Sequence, residues 1–301
     1  MKIAEILRFL ESEQVPFTFH GDEEAEVERF SSLTHYKPGT FTWIKKQKNI
    51  PEGFDLSRLT LVFAAEGVDA GDAPNVICSP ESKRAFFSTM ERFYAEEEEE
   101  RPAVGQFTYI SPKVKLGKNV RIGHNCTLDG DITIGDDTVI WNNVVIIGRV
   151  RIGRRCELQS GVVIGHRSLA YTEDEAHNKT MARQFGGVTI GDRVHIAKGS
   201  WIDRGAIDDT VIEDGVILDG SSRVGHNCVV KKNAVLVGDT TLGGSVQVGE
   251  GAYLASCAVK NQCKIGEGAF VGLRSVVLRD VRANAEVAGF PAREFPSLRK
   301  E

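Results

Sequence analysis

The sequence predicts a mainly β protein, a parallel β-helix of hexapeptide repeats preceded by a small α/β domain. Three observations carry this expectation. Aliphatic residues fall on every sixth position in unbroken succession from Ile110 to Ile164. Glycine makes up 31 of 301 residues, above the usual ~7%. Aromatic residues are 8% of the chain, and most lie in its first third.

The first 94 residues lack the six-residue period. Ile3, Ile6, Leu7 and Leu10 are spaced as one face of a short helix. Phe41–Ile44 and Leu59–Ala64 have the composition of strands, and Arg84–Tyr94 that of a second helix. Residues 1–94 are therefore expected to form the α/β domain. The acidic run at 95–103 reads as a solvated linker.

The repeat occupies 104–287. It runs through Ile110, Leu116, Ile122, Leu128, Ile134, Ile140, Ile146, Ile152, Leu158 and Ile164. It resumes at Ile190, Ile196 and Ile202, and again from Ile212 through Leu254. A one-residue slip then gives Val259, Ile265, Val271 and Val277. A period of six fits neither an α-helix nor a simple alternating strand. It is the period of a β-helix in which each hexapeptide is one short strand and a corner. The aliphatic residue points inward, and Gly or a small polar residue turns the corner, where positive φ is often needed. Roughly eight coils at the ~4.8 Å strand spacing give a prism about 40 Å long. Residues 166–187 interrupt the period as an inserted loop, and 288–301 form a short tail.

Composition narrows the function. With 37 Lys+Arg against 42 Asp+Glu the net charge is −5, which argues against nonspecific nucleic-acid binding. No stretch approaches the ~18 apolar residues of a membrane span. The opening MKIAEILRFLESEQ is too acidic for a signal peptide, so a cytoplasmic protein is expected. Six Cys without a CxxC pair read as reduced thiols. Cys126, Cys156, Cys228 and Cys263 each follow an inward aliphatic by four residues, a slot for a small buried side chain.

Chemistry must come from polar residues on the prism's outside. His124, His166 and His226 each follow a Gly at the same repeat position. Only His226 lies beside a stretch where the repeat is disturbed and acids accumulate: Asp203, Asp208, Asp209, Asp214 and Asp219. A neutral His oriented by a carboxylate is a good general base near pH 7. Asp219 or Asp203 could be that partner; a solvated corner is the alternative for each. No close pair of His suggests a zinc site, and no metal is expected.

The segment IDRGAIDDTVIEDGVILD followed by VGHN resembles the signature of the UDP-3-O-acylglucosamine N-acyltransferases, which are left-handed β-helix enzymes. HGD (His20–Asp22), KPGTFTW (Lys37–Trp43) and SPESKRAF (Ser79–Phe86) resemble that family's uridine-binding domain. The resemblance implies attack of a sugar amine on an acyl thioester. His226 would be the base, and Gly244 would offer a backbone N–H to the oxyanion. Trp43 would stack on uracil, although it could equally be a core aromatic. Asp203, Arg204 and Asn227 would line the substrate site. The family is homotrimeric and takes its acyl group from acyl carrier protein, with no bound cofactor. Two features differ. HRSLAYTED (His166–Asp174) stands where the family has a Gly-Phe-rich run, and Gln262 stands where it has a second His on the donor side. The ending AGFPARE (Ala288–Glu294) is similar to acetyltransferases that use coenzyme A, whose phosphates Lys198, Arg274 and Arg293 could meet. An acetyl-CoA-dependent amino-sugar N-acetyltransferase and a non-catalytic sugar-nucleotide-binding β-helix are the alternatives.

Overall fold

The computed structural model describes residues 1–95 and 102–295. Most of the acidic linker and the end of the tail lie outside the described residues. The chain divides into two compact units, Met1–Glu99 and Glu100–Glu301.

In the first unit a five-stranded sheet carries two helices. The sheet order is Thr18–His20, Val76–Ser79, Leu61–Ala65, Thr40–Ile44 and Arg29–Phe30. The first pair is antiparallel and the others are parallel. Ile3, Ile6, Leu7 and Leu10 form the buried face of helix Ile3–Ser12. The second helix, Ser82–Tyr94, starts two residues before the predicted Arg84 and buries Ala85 and Phe86 beside Phe41 and Phe63.

The second unit is the parallel β-helix. Its short strands stack into three walls, named here A, B and C. Wall A has eight strands among the described residues, from Lys115–Leu116 to Lys264–Ile265. Wall B has nine parallel strands, from Arg121–Ile122 to Glu286–Ala288, and a tenth, antiparallel strand Arg293–Phe295 closes it. Wall C has nine, from Tyr109–Ile110 to Val276–Val277. Parallel pairing brings each inward aliphatic onto the one in the next coil, as with Leu128, Ile146 and Ile164. All three are fully buried. This stack is the core, and it pairs nearly every inner backbone group with a neighbouring coil.

Coil length varies only at the edges. A regular coil is 18 residues, as between Leu116 and its partner Ile134. The coil carrying the disturbed repeat is 22 residues, from Ile202 to Val224. Its four extra residues all lie in the bend 203–209, on the edge where wall C turns into wall A. The inserted segment 166–187 leaves the same edge. It is not a featureless loop, because Tyr171–Glu173 and Lys179–Met181 pair as an antiparallel hairpin.

The expectation of Gly or a small polar residue at a positive-φ corner holds three residues after the inward aliphatic, where Gly161, Gly199, Gly215, Gly251 and Gly268 join Asn and Asp, but not at the Gly that directly follows it in most coils. Gly117, Gly123, Gly135 and Gly153, directly after an inward aliphatic, do not have positive φ. They are glycine because the next coil runs too close: a Cβ on Gly135 would lie 2.6 Å from the Gly153 carbonyl carbon. The left-handed position comes two residues later and is filled by Asn119, Asn125, Asp137, Asn143 and Arg155. Asn and Asp tolerate that conformation better than most residues.

Candidate active site

The edge between walls C and A gathers the inserted segment, the bend 203–209, His226 and Gly244. Each belongs to the turn that follows a wall C strand.

The bend begins after strand Trp201–Ile202. Gly205 folds it back so tightly that a Cβ there would lie 1.6 Å from the Asp208 carbonyl oxygen. Asn227 holds the bend closed. Its Nδ2 donates to the Asp208 carbonyl (3.1 Å), and its Oδ1 accepts from the Ala206 N–H (3.0 Å). Its own N–H donates to the buried Thr210 hydroxyl (2.9 Å). Asn227 sits at φ 57°.

These bonds decide the tautomer of His226. The Asn227 Oδ1 also lies 3.0 Å from His226 Nδ1. An amide oxygen can only accept, so Nδ1 carries the proton and the neutral ring keeps its lone pair on Nε2. Nε2 faces the backbone of Gly244 one coil on, where an added Cβ would lie 2.4 Å away. Among the described residues no acceptor takes the Gly244 N–H. After wall B and wall A strands the amide at this position can be capped by a side chain of the next coil, as His124 N–H is by Asn142 (2.7 Å) and Arg154 N–H by Asp192 (2.8 Å). The half-buried imidazole and an unpaired amide thus lie side by side.

The two carboxylate candidates separate. Asp219 is not the partner of His226. It follows a wall B strand and lies on the edge between walls B and C, where it accepts from the Gly220 and Gly238 N–H groups (2.7 and 3.1 Å). Those two backbone bonds hold its carboxyl below the usual range. Asp203 lies on the His226 edge. It is buried, and burial pushes its pKa up against the opposing pull of Arg223, His226 and His166. Orientation of His226 therefore comes from a neutral amide, with a buried charge nearby. The search for a carboxylate in the sequence passed over the Asn next door.

The other candidates are placed as follows. Arg204 turns back along the edge: its Nε donates to the Gly186 carbonyl (2.8 Å), and its N–H to that of His166 (2.9 Å). It braces both ends of the inserted segment. Gln262 lies on the His226 edge, its N–H donating to the Gly244 carbonyl (2.9 Å). Lys198 and Arg274 follow wall B strands and share the edge of Asp219; Arg274 pairs with Asp239 (3.2 Å). Arg293 lies in the closing strand. It lines a cavity of about 360 Å³ with Arg279, Arg282 and Pro291. In the first unit Trp43 is half-buried, stacked on Phe86 (6.1 Å between centroids) with its indole N–H donating to Ser82 (3.1 Å). Asp209 stands in the sequence only as one of the accumulated acids, without a role. It accepts from the Gly187 N–H (2.8 Å), the Thr189 hydroxyl (2.9 Å) and Arg149 (2.6 Å), and ties the end of the inserted segment to the bend.

Among the described residues no group of three or more His, Cys, Asp and Glu could hold a metal ion. The thiols at the four predicted core slots, Cys126, Cys156, Cys228 and Cys263, are all buried. Burial raises the Cys228 pKa to about 12, so it is no nucleophile. No described helix is long and apolar enough to cross a membrane.

Comparison with known proteins agrees with this geometry. Residues 131–166 match the family model of the bacterial transferase hexapeptide (six repeats), and 113–148 that of the hexapeptide repeat of succinyl-transferase. A probable mitochondrial UDP-3-O-acylglucosamine N-acyltransferase of Arabidopsis thaliana is 32% identical over 158 residues, 52% of each chain. The UDP-3-O-acylglucosamine N-acyltransferase of Delftia acidovorans is 37% identical over 45% of this chain and 41% of its own length. The chain thus spans about half or less of the length of these relatives. Among solved structures, the UDP-N-acetylglucosamine O-acyltransferase of Moraxella catarrhalis superposes with a TM-score of 0.60 at 23% identity. That match covers 64% of this chain and 74% of the other. The UDP-N-acetylglucosamine acyltransferase of Francisella novicida gives 0.58 at 24%, over 64% and 69%. These likenesses establish the left-handed hand of the helix. The chain carries the left-handed β-helix of the hexapeptide-repeat transferases, and over about half its length it is similar to UDP-3-O-acylglucosamine N-acyltransferases.

Proposed function

We propose that the protein is an N-acyltransferase that moves an acyl group from a thioester to the amine of a nucleotide-linked sugar, UDP being the expected nucleotide. One observation carries the reading: the Nε2 of His226, the nitrogen that keeps its lone pair in the neutral ring, lies against the backbone of Gly244, whose N–H has no partner among the described residues. The two meet the needs of acyl transfer, a base for the nucleophile and a donor for the oxyanion. The amine nitrogen attacks the thioester carbonyl carbon and gives a proton to Nε2. The Gly244 N–H donates to the oxyanion of the tetrahedral intermediate. Collapse breaks the C–S bond, and His226 returns its proton to the leaving thiolate. The products are an amide and a free thiol.

The similarity to UDP-3-O-acylglucosamine N-acyltransferases supports a UDP-linked amino sugar as acceptor. An acyl carrier protein donor, lipid A synthesis and a cytoplasmic setting are the expectations of the sequence resemblance, and the Arabidopsis relative is itself a mitochondrial protein. Residues 1–94 would hold the nucleotide, with Trp43 at the uracil. Asp203 and Asn227 would border the sugar, and Gln262 the donor. In a homotrimer, Lys198 and Arg274 would reach the reaction from the wall B–C edge of a neighbouring copy.

A second reading concerns the donor alone. The cavity beside Pro291, where Arg279 and Arg293 stand with Asp280 and an Arg282–Glu294 pair, is where the phosphates of coenzyme A would sit in this reading. Thiol release is to be measured with a UDP-amino sugar and either a 3-hydroxyacyl carrier protein or acetyl-CoA. Turnover with one donor, abolished in His226→Ala, is the expected result and names that donor. No turnover with either, or full turnover in His226→Ala, would overturn the proposal.

A further inference from the structure

Asp203 stands apart from the other acids around the bend. Asp209, Asp214 and Asp219 each accept a backbone N–H. Asp208 is exposed to water. Asp203 is 6% exposed, and its Oδ2 is buried with no hydrogen-bond partner. The neighbouring donors are already committed or too far away. Arg223 comes to 3.8 Å, beyond hydrogen-bond reach, with its guanidinium 5.8 Å from the centre of the Trp201 ring. The Cys228 thiol donates to the Gly243 carbonyl (3.1 Å), and His226 Nδ1 to Asn227. His166, one coil earlier, is exposed. A buried carboxylate without a donor is costly. A fold that solves this problem for three neighbouring acids leaves it standing at the edge where the base sits.

We infer that Asp203 is the receptor for the acceptor's amine in its protonated form, and so selects an amino sugar over a hydroxylated one. This rests on the nucleotide-amino-sugar reading above. An ammonium supplies the missing donor together with a positive charge closer than the Arg223 guanidinium at 3.8 Å, whereas a hydroxyl supplies only a donor. The protons balance. The bound ammonium gives one proton through His226 Nε2 to solvent, leaving the neutral amine as nucleophile and the imidazole neutral again. The second proton leaves on attack, by way of the same nitrogen, and ends on the thiol.

The test is equilibrium binding of UDP-glucosamine and UDP-glucose, which differ by one amine for one hydroxyl, to the wild-type chain and to Asp203→Asn. A charge-assisted hydrogen bond at a desolvated site is worth roughly tenfold or more in affinity. Wild type should prefer the amino sugar by about that factor, and Asp203→Asn should bind both alike. Equal binding by wild type, or a preference retained in the variant, would overturn the assignment. A second measurement needs no variant. Affinity of wild type for UDP-glucosamine should fall as pH rises through the amine's own pKa, while that for UDP-glucose does not fall in step. Because Arg223, His226, His166 and Cys228 also face Asp203, the UDP-glucose titration measures their contribution. Parallel titrations would overturn the assignment. Failure of both nucleotides to bind would overturn the nucleotide-sugar reading itself, a different result from binding both without preference.

Discussion

Gly244 has no side chain because His226 occupies the space one would need. In Gly244→Ala the new methyl meets Nε2 and pushes the ring off its line. The expected result is a loss of about 100-fold or more in kcat, the scale of losing a positioned general base, with the thermal midpoint little changed. Asn227→Ala removes the tautomer control and leaves the Ala206 N–H and the Asp208 carbonyl without partners. About 1–3 kcal/mol of stability should be lost in denaturant titrations, along with turnover. Asp203→Asn should act in the opposite sense on stability. The folded pKa of Asp203 is raised, so its contribution to folding is present below the unfolded pKa of about 4 and lost as pH rises through the folded value. At neutral pH the charge is a cost. The variant should be more stable than wild type at pH 7 and lose that advantage toward pH 4; equal stability at pH 7 would contradict the burial argument. His226 and Gly244 were legible as residues, since each follows the inward aliphatics Val224 and Leu242 at a fixed offset. The partner of His226 was not, because it depends on which atoms of the bend hold the Asn227 amide.

At the scale of elements, the bend and the inserted segment form one construction. Asp209 takes the N–H at the segment's end and the Arg149 guanidinium together, and these bonds with the Thr189 hydroxyl overcome burial to hold its carboxyl below the usual range. Asp209→Asn should speed amide hydrogen exchange at residues 186–190 and lower turnover, since Asn227 is anchored to the same bend. Unchanged exchange there would show that the clamp does not hold the segment. The walls were readable from the period of six. The edges follow from the same count, since every third hexapeptide returns to the same wall and so puts Asp219, Lys198 and Arg274 on one edge and His226 on another; offering Asp219 to His226 leaves that count unused. What sequence could not supply is which glycines answer to close approach of the next coil and which to positive φ, because both make corners rich in Gly.

For the β-helix as a whole, stability is a sum over stacked neighbours, so its ends open before its middle. The buried thiols report on this. Cys228 lies mid-stack, and Cys263 lies near the end beside Asp280. With rising denaturant, Cys263 should be alkylated well before Cys228, as read by mass spectrometry of peptides. Simultaneous labelling would mean that the stack opens all at once.

The regular coil makes the helix a ruler. His226 and Gly244 are one 18-residue turn apart, and inter-strand pairing sets the step between them. No choice of side chain alters that step. Only a change in how many residues make up the turn could do so, and it would slide every later corner along the edge. The gap between base and amide is therefore inherited from the architecture. Variation is left to what the edge can extrude, as it does in the bend and the hairpin, around two atoms whose separation stays fixed.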